Sequence, residues 1–492
     1  MGHEAMTKGH LSRGTKVTCP GAEAGRGNVM GRTLKFKGGG LAAIVAIAGV
    51  VGLVAAPVAA AAGIKGPGDV LAAKWTPELA TSGTDGSVET VRQFVPCGGS
   101  MYAVGRFTSV KQGSSVVTRN NAFSFSDTNG TITAWNPNVN GEVDSVALSA
   151  DCSVAYLGGE FTSVGGSPAS NIVAVSTVTG SVVPSFAATA NKPVSTLVMS
   201  TGHLLVGGRF TSFNGSFAKK YMISVNPSTG KDDGYINLNI SGNYVYTQQD
   251  GRKSGFNASQ VYNTALSPDG SKLLAMGVFT SVGAQNRRQI FMLDLGASSA
   301  TVDSWYSPEF NQNCHAVEPF WLQAASWSPD QSTVYIATTG YKPATDLDPY
   351  VMTGFNTGEP RGGLCDAAAA FPSTSSGSVL HQWVNYTGCD SLYSTAADAN
   401  HVYIGGHERW ADNPNGCDSP GSGNTAAPGM GGLDPVTGVL NYNPTRGRGQ
   451  GASEMLRTGA GLWIGSDNAQ NTSACAGEYQ KMGICFLPNS EL

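Results

Sequence analysis

The chain has 492 residues, of which 41% are hydrophobic and 13% are charged, with 65 glycines and a formal net charge of −4. The apolar content excludes a disordered chain, and the many glycines favour a turn-rich β protein over a helical one. Residues 1–62 carry seven of the 30 basic and two of the 34 acidic residues, so the remainder has a net charge of −9. Because no basic stripe is visible, a nucleic-acid partner is not predicted.

The first predicted element is a secretory signal. Residues 41–62 are uncharged and rich in Ala and Gly, and Arg32, Lys35 and Lys37 precede them. This pattern predicts export, with residues 1–62 as leader and signal peptide and Met30 as an alternative start. Since the apolar run is long enough to span a bilayer, an uncleaved anchor is the alternative, whereas cleavage leaves no stable membrane anchor.

A nearly identical motif then recurs along the chain. Its four clearest copies read AVGRFTSV from Ala103, LGGEFTSV from Leu157, VGGRFTSF from Val206 and AMGVFTSV from Ala275. Each copy follows two alternating apolar runs that are joined by a Gly, Asp or Ser turn, which is a hairpin signal. With degenerate later copies, the recurring residue is assigned to Gly105, Gly159, Gly208, Gly277, Thr339, Gly406 and Gly465.

The repeated glycine and phenylalanine are interpreted as packing residues. Glycine permits close backbone approach where the second strand ends. The phenylalanines are expected to fill the space between repeats: Phe107, Phe161, Phe210 and Phe279. The motif therefore predicts architecture and not chemistry.

A third strand follows most copies of the motif, and a fourth carries a large apolar residue at one recurring position. These residues are Trp135, Phe186, Ile236, Trp305, Trp383 and Tyr442. The pattern predicts an all-β fold, a seven-bladed β-propeller of four-stranded antiparallel blades in a single domain spanning residues 63–492. The seventh repeat has no fourth strand of its own. The segment around Trp75 is therefore predicted to pair into the last blade and close the ring.

These GGxFTSVGG-type repeats resemble those of secreted actinobacterial β-propeller proteins. The stretches YIGGHERWADNPNG from Tyr403 and GLDPVTGVLNYNPTRGRGQG from Gly432 resemble the end of exported actinobacterial propellers that are often joined to PKD-type modules. The resemblance extends over nearly all of residues 70–488. It implies a propeller fold and export, and it implies no particular activity.

Eight cysteines follow the leader, and an even number in an exported chain predicts disulfides. Cys475 and Cys485 flank one loop of the seventh blade, and Cys389 and Cys417 border the sixth. Cys97 and Cys152 occupy equivalent turns of adjacent blades, and Cys314 and Cys365 remain, although sequence alone leaves the connectivity open. No CxxC pair occurs and the histidines are scattered, so no metal site is predicted.

The candidate ligand site is the loop from His407 to Asp418, which replaces the plain Phe-Thr-Ser turn in the sixth blade. An aromatic ring stacks on the apolar side of a sugar, and charged and amide groups bind its hydroxyls. If strand alternation holds there, Glu408 and Trp410 point one way and their neighbours the other. Trp410 as a core residue among surface ion pairs is the alternative. The candidate residues are His407, Glu408, Arg409, Trp410, Asp412, Asn413, Arg446, Asp467 and Trp321.

The function predicted from these features is a secreted, monomeric binding or surface-interaction module for a glycan or cell-envelope polysaccharide. It needs no cofactor and no catalytic residue. One alternative is a polysaccharide hydrolase or lyase, with Glu408 and either His407 or Asp467 as acid and base. The other is a quinone-dependent dehydrogenase, because the propeller class includes such enzymes.

Overall fold

The computed structural model describes residues 70–80, 89–200, 202–247, 253–256, 258–312, 320–340, 363–416, 419–444, 451–466 and 482–492. All of them belong to one compact unit, Ala62–Leu492. Several predicted features lie outside the described residues: the leader and signal segment, Cys314, Cys417, Cys475, Arg446 and Asp467.

The described part of the chain is built almost entirely from short antiparallel strands. Its helical residues form two short 3₁₀ turns, Pro308–Asn311 and Asn489–Glu491. The predicted all-β class is confirmed.

The strands of the first half, in chain order, are β1 (Glu78–Leu79), β2 (Thr90–Cys97), β3 (Ser100–Arg106), β4 (Ser109–Gln112), β5 (Ser115–Thr118), β6 (Ala122–Ser126), β7 (Glu142–Leu148), β8 (Val154–Glu160), β9 (Ser163–Val164), β10 (Ser167–Pro168), β11 (Ile172–Ser176), β12 (Val194–Ser200), β13 (His203–Gly208), β14 (Met222–Val225), β15 (Ile240–Ser241), β16 (Tyr244–Thr247) and β17 (Lys253–Phe256).

The strands of the second half are β18 (Gln260–Leu266), β19 (Lys272–Val278), β20 (Ser281–Val282), β21 (Gln285–Asn286), β22 (Ile290–Leu295), β23 (Ala300–Val302), β24 (Trp321–Trp327), β25 (Thr333–Thr339), β26 (Ala367–Pro372), β27 (Trp383–Tyr386), β28 (Leu392–Ala397), β29 (Val402–Gly406), β30 (Trp410–Ala411), β31 (Thr425–Ala426), β32 (Met430–Leu433), β33 (Leu440–Tyr442), β34 (Glu454–Thr458), β35 (Gly461–Gly465) and β36 (Ile484–Pro488).

Seven of the sheets formed by these strands share one plan, and they are called sheets 1 to 7 in chain order. Their strand orders are β2-β3-β6, β7-β8-β11, β12-β13-β14, β18-β19-β22-β23, β24-β25-β26-β27, β28-β29-β32-β33 and β34-β35-β36. Sheets 4 to 6 have a fourth strand. At the corresponding place, sheets 1 to 3 have an isolated antiparallel bridge, to Ile132, Val182 and Asp232 respectively. The repeat seen in the sequence is therefore a repeat of sheets.

The recurring glycine faces a β-bulge in the first strand of its sheet. In sheets 1 to 6 the ladder skips one residue: Arg92, Asp144, Ser195, Tyr262, Gln323 and Tyr393. A Cβ atom on Gly159 would lie 2.1 Å from the carbonyl oxygen of Glu142, and one on Gly277 would lie 2.0 Å from that of Gln260. At these two positions only glycine allows the backbone approach, which agrees with the interpretation of the motif.

The register corrects two of the assigned repeat positions. In sheet 5 the residue opposite Leu322, directly before the bulge, is Thr338 and not Thr339. In sheet 7 the ladder has no bulge, and Ser466, not Gly465, donates its N–H to the residue before the third strand, as Gly105 and Gly159 do in sheets 1 and 2. Both positions lie in degenerate repeats, in which the sequence motif is incomplete and does not fix the register of the strands.

The motif phenylalanines and the fourth-position residues form the contacts between sheets. All four motif phenylalanines are buried, as are Trp135, Phe186, Ile236, Trp305, Trp383 and Tyr442. The indole Nε1 of Trp135 donates to the carbonyl oxygen of Ser176 at 3.0 Å, and that of Trp383 donates to the carbonyl oxygen of Pro435 at 2.9 Å. Each indole therefore anchors its sheet to the next one along the chain.

Hydrogen bonds also join the first strands of neighbouring sheets. The last of these bonds runs from the residue before β34 back to β2, where the Ser453 hydroxyl donates to the carbonyl oxygen of Val91 at 3.0 Å. At the other junctions such bonds join Gln93 to Ser145, Ser145 to Leu197, Thr196 to Thr264, Asn263 to Gln323, Ser326 to Thr395 and Ser394 to Ala452.

Residues 73–79 run beside β36 and the residues just before it. The backbone N–H of Ala73 donates to the carbonyl oxygen of Phe486 at 2.9 Å, and that of Leu79 donates to the carbonyl oxygen of Met482 at 3.0 Å. The Trp75 ring lies 5.8 Å from the Trp463 ring and 5.6 Å from the Phe486 ring, measured between centroids.

One disulfide joins sheets 1 and 2. It links Cys97 at the end of β2 to Cys152 in the turn between β7 and β8, with the two Cα atoms 5.8 Å apart. Cys365, Cys389 and Cys485 are also disulfide-bonded. Their predicted partners lie outside the described residues, so these three pairings stay predictions.

Candidate functional site

The predicted loop after β29 is tied to the sheet beneath it. Arg409 Nε and Nη2 donate to the two carboxylate oxygens of Asp390 at 2.8 and 2.9 Å. The Arg409 guanidinium also lies over the Trp410 ring, 4.5 Å from its centroid. The expected alternation of these two side chains is therefore not kept, and Arg409 covers part of the aromatic face proposed for a sugar.

Asp412 and Asn413 contact backbone and amide groups of neighbouring segments. The Asp412 carboxylate accepts from Asn385 Nδ2 at 2.6 Å, and burial raises the pKa of this carboxyl. The buried Asn413 accepts from the Gly421 N–H at 2.7 Å and donates to the Ser419 carbonyl oxygen at 3.2 Å. Both side chains hold the loop in place.

The remaining predicted residues are not brought together as a group. Glu408 is fully buried, and the His407 ring lies edge-on to Tyr393 with its Nδ1 3.3 Å from the tyrosine hydroxyl. Trp321 is the first residue of β24 in sheet 5 and is half-buried. Arg446 and Asp467 lie outside the described residues.

A different group of charged side chains gathers where sheets 1, 2 and 3 meet. It consists of Arg92, Glu142, Asp144, Glu160 and Arg209 and is called the charged cluster. Glu142 and Glu160 are direct partners across β7 and β8, an arrangement in which like charges repel. Asp144 is the bulge residue of the same sheet. Sheet 2 therefore presents three carboxyl groups at one end of its first hairpin.

Two arginines from the flanking sheets neutralise two of these carboxylates. Arg92 Nε donates to Glu142 Oε1 at 2.6 Å from one side, and Arg209 Nη2 donates to Glu160 Oε2 at 3.3 Å from the other. Among the described residues, the Asp144 carboxyl accepts no hydrogen bond, and burial, assisted by the charge of Glu142, raises its pKa to about 7. The Asp144 carboxyl therefore titrates near neutrality, beside two ion pairs.

A pocket of about 310 Å³ opens next to the charged cluster between sheets 2 and 3, and it is called the Glu160 pocket. It is lined by Asn140, Gly141, Glu160, Phe161, Thr162, Asn171, Asn191, Lys192 and Pro193. Asn140 Oδ1 accepts from the N–H groups of Thr162 and Ser163, both at 2.9 Å, so the wall is held by its own hydrogen bonds. Glu160 and Lys192 are exposed and bring one charge of each sign to the rim.

Sequence reasoning missed the charged cluster and the Glu160 pocket, although the repeat carried a signal for them. The residue between the glycine and the phenylalanine varies from copy to copy, and it is Arg106, Glu160 and Arg209 in the first three. A position whose residue differs between copies of a packing motif has no packing role that the copies share. Asp144 carried no such signal, because only the bulge sets its place.

Within the described residues, no group of three or more His, Cys, Asp or Glu side chains is arranged to hold a metal ion. No helix in that part of the chain is long and apolar enough to cross a membrane.

Comparison with known proteins gives similarity in structure only. No protein-family model matches the chain. No curated protein matches it either. Among solved structures it is similar to U3-55K (TM-score 0.45, 10% identity, covering 82% of this chain and 97% of that one). It is similar to the RRP9 WD40 repeats, with a TM-score of 0.46 and 10% identity, covering 85% of this chain and 99% of that one. It is also similar to Kuenenia stuttgartiensis hydrazine synthase, with a TM-score of 0.44 and 12% identity, covering 80% of this chain and 99% of that one. Similarity at this level carries no argument about function.

Proposed function

We propose that the protein is a secreted, monomeric seven-bladed β-propeller that binds a glycan or cell-envelope polysaccharide. The seven-bladed ring is supported by the seven sheets of one plan and by the hydrogen bonds between their first strands, the last of which joins Ser453 to Val91. A closed ring leaves no sheet edge open to other chains. The bonds from Ala73 to Phe486 in β36 and from Leu79 to Met482, just before β36, support closure by the N-terminal segment.

The proposal of glycan binding depends on the Glu160 pocket. A sugar offers hydroxyl groups around its rim and an apolar C–H face, and the pocket offers both kinds of partner. Glu160 and Lys192 supply charged groups for hydroxyls, and Pro193 supplies apolar surface. A volume of about 310 Å³ suits one or two sugar rings of a longer chain.

The loop after β29 is less suited to this role. Its guanidinium is engaged by Asp390, and Asp412 and Asn413 are engaged by neighbouring segments. What remains is the partly exposed ring of Trp410, one face of which is covered by Arg409. We therefore place the ligand at the Glu160 pocket.

Export is proposed on separate grounds. The uncharged run at residues 41–62 predicts a signal peptide. The Cys97–Cys152 disulfide agrees with an oxidising compartment.

A glycan-array screen of residues 63–492 tests the proposal. We expect retention of one class of polysaccharide, with affinity about fivefold to tenfold lower in Glu160→Gln and Lys192→Ala, because each loses a polar contact. Trp410→Ala is the matched control and is expected to bind as the unchanged chain does. A screen without any bound glycan contradicts the proposed function, and a loss confined to Trp410→Ala contradicts the proposed site.

A further inference from the structure

One aromatic ring is exposed to solvent beside sheet 3. The Phe217 side chain is 68% exposed, and no other aromatic ring in the part of the chain that the structure describes is exposed. Phe217 follows the motif of the third repeat, and the corresponding hairpins of sheets 2 and 4 have Pro168 and Asn286 at its position. The fold therefore does not require an aromatic ring at this place.

The hairpin that carries Phe217 is rigid. Phe213 and Ser216 exchange both backbone hydrogen bonds at 2.9 Å, which closes a two-residue turn. Asn214 in this turn has a positive φ of 48°, and its Nδ2 donates to the carbonyl oxygen of Gly230 at 2.9 Å. The ring is thus presented on a preorganised backbone, which lowers the entropic cost of binding a ligand.

Two exposed lysines lie on the segments that this hairpin joins. Lys220 is three residues beyond Phe217, and Lys231 follows Gly230, whose carbonyl oxygen accepts from Asn214. Neither lysine has an ion-pair partner among the described residues. Phe217, Lys220 and Lys231 are together called the Phe217 patch. Exposed apolar surface that is bordered by polar groups commonly marks an interaction site.

The carboxylates next to the patch are engaged by their own neighbours. Asp232 Oδ2 lies 3.9 Å from Lys219 Nζ. Asp233 Oδ2 lies 2.7 Å from His203 Nδ1, and its Oδ1 accepts from the Ser224 hydroxyl at 2.6 Å. The charge that the patch offers to a ligand is therefore positive.

The hairpin is also joined to the wall of the Glu160 pocket. Asn191, which lines the pocket, accepts through its Oδ1 from the Thr211 N–H at 2.9 Å. The residue before it, Ala190, forms an antiparallel bridge with Phe213 of the hairpin. Because neighbouring strands lie about 5 Å apart, two strand spacings separate the pocket wall from the outer strand of the hairpin by about 10 Å. A polysaccharide in the pocket can therefore reach the patch with its next sugar units.

The charged residues that line the pocket have a similar balance. Glu160 Oε2 accepts from Arg209 Nη2 at 3.3 Å, whereas the exposed Lys192 has no ion pair within the described residues. Positive charge without a partner is thus present both at the pocket and at the patch. A neutral glycan leaves these lysines unpaired, and a negatively charged one pairs them.

We infer that the Phe217 patch is a second subsite of the glycan site, and that the glycan is an anionic polysaccharide carrying carboxylate or phosphate groups. This inference rests on the proposed function and names its ligand class. The ring of Phe217 stacks on the apolar C–H face of a sugar unit. Lys220 and Lys231 bind the carboxylate or phosphate as point charges with hydrogens to donate.

Calorimetric titration of residues 63–492 with three probes tests the ligand class. The probes are a galacturonic acid hexamer, its neutral methyl ester, and a glucosylated glycerol phosphate hexamer. At about 50 mM salt we expect an anionic probe to bind about tenfold more tightly than the neutral one, and the difference should shrink at about 500 mM because salt screens exposed charges. The tighter of the two anionic probes identifies carboxylate or phosphate as the group recognised.

Two variants test the patch itself. Phe217→Asn and Lys220→Ser introduce the residues that sheets 4 and 2 have at these places, Asn286 and Ser170, so both should melt as the unchanged chain does. Each should weaken binding of the anionic probe about fivefold, by loss of stacking or of a charge. Lys220→Arg should keep the affinity. Val178→Asn is the matched control, because Val178 is 82% exposed in a turn of sheet 2 outside the patch, and it should also keep the affinity.

The outcomes separate the two proposals. Equal affinity for the anionic and neutral probes overturns the inference and leaves glycan binding standing. Unchanged affinity in Phe217→Asn and Lys220→Ser, when Glu160→Gln binds more weakly, also overturns it and leaves the pocket as the whole site. Binding of none of the three probes overturns the inference, whereas retention of another polysaccharide on the array would still support the proposed function. Cosedimentation with phosphatidylglycerol vesicles that Phe217→Asn abolishes, without binding of an anionic probe, would assign the patch to a lipid surface instead.

Discussion

At the scale of single residues, the repeated motif is a solution to one steric problem. The first strand bulges in sheets 1 to 6, and in the five of these sheets that keep the glycine a carbonyl oxygen at or just before the start of the first strand comes close to it. At Gly159 that oxygen would lie 2.1 Å from a Cβ atom, well inside van der Waals contact. Glycine recurs there because the backbone comes close, and not because the chain must bend.

Gly159→Ala is therefore expected to lower the free energy of unfolding by about 2–3 kcal/mol, since either the bulge or the ladder must shift. Urea denaturation of the mature chain measures this change. Gly459→Ala is the matched control, because a Cβ atom there meets no atom within 4 Å, and it should be neutral within about 0.5 kcal/mol. Equal stability of the two variants would show that the close approach has no energetic role.

The candidate site shows how far single residues could be predicted from the sequence. The chemistry of Arg409 was evident, but its partner Asp390 lies 19 positions earlier, outside the loop. Pairing across elements depends on register, and no local pattern reports it. The same holds for Glu142 and Glu160, which face each other only because β7 and β8 pair in one register.

At the scale of elements, the loop after β29 is attached to sheet 6 by the ion pair between Arg409 and Asp390. The Asp390 side chain is 4% exposed and depends on Arg409 for its counter-ion. Arg409→Ala is expected to cost about 2–4 kcal/mol, because it leaves a buried carboxylate without its partner. Thermal melting measures the loss. Adding Asp390→Asn to the same chain should restore most of it, and a double variant as unstable as Arg409→Ala would contradict this role.

Trp410→Ala separates the two interpretations of the same loop. Because Arg409 lies on the ring, we expect melting to fall by several degrees as that contact is lost. Glycan binding by the folded fraction should stay unchanged. Weaker binding with an unchanged melting temperature would instead return the ligand site to this loop.

At the scale of the whole molecule, the sequence predicted the architecture better than the site. Three features of the sequence together indicated repeated antiparallel sheets: the period of the motif, the hairpin signals and the large apolar residue at one position of each fourth strand. Each of these features depends on short-range patterns. The errors at Thr339 and Gly465 occurred in degenerate repeats, where a one-residue difference in register leaves no trace in composition. Sites between sheets combine three repeats, so local patterns say little about them.

Removal of the N-terminal segment tests how the last sheet is completed. A chain that begins at residue 82 lacks the backbone bonds that Ala73 and Leu79 make to β36 and to the residue Met482 before it. It also lacks the contact of Trp75 with Trp463 and Phe486. Loss of the apolar contacts of Trp75 alone is expected to cost on the order of 3 kcal/mol. Melting of this chain, compared with residues 63–492, should be much lower. Equal melting would show that the ring does not need this strand.

The junction between the last and first sheets also predicts a pH dependence. The Glu454 carboxyl accepts from the backbone N–H of Phe94, and burial raises its pKa from 4.5 to about 8. Gln93 makes the corresponding contact between sheets 1 and 2, where its Oε1 accepts from the Val146 N–H at 2.7 Å. An amide at this position thus keeps the same acceptor without a titrating group.

Because the folded state holds the Glu454 proton more tightly than the unfolded chain does, this contribution to stability is complete below about pH 4.5 and is lost as the pH rises to about 8. Glu454→Gln should abolish that loss, so that the variant melts at a higher temperature than the unchanged chain at pH 8 and the difference narrows toward pH 5. Melting curves across this range measure the effect, with Gln93→Glu as the reciprocal variant that should introduce a similar loss between sheets 1 and 2. If the difference between Glu454→Gln and the unchanged chain is constant with pH, the carboxyl is ionised in the folded state and the junction is hydrated.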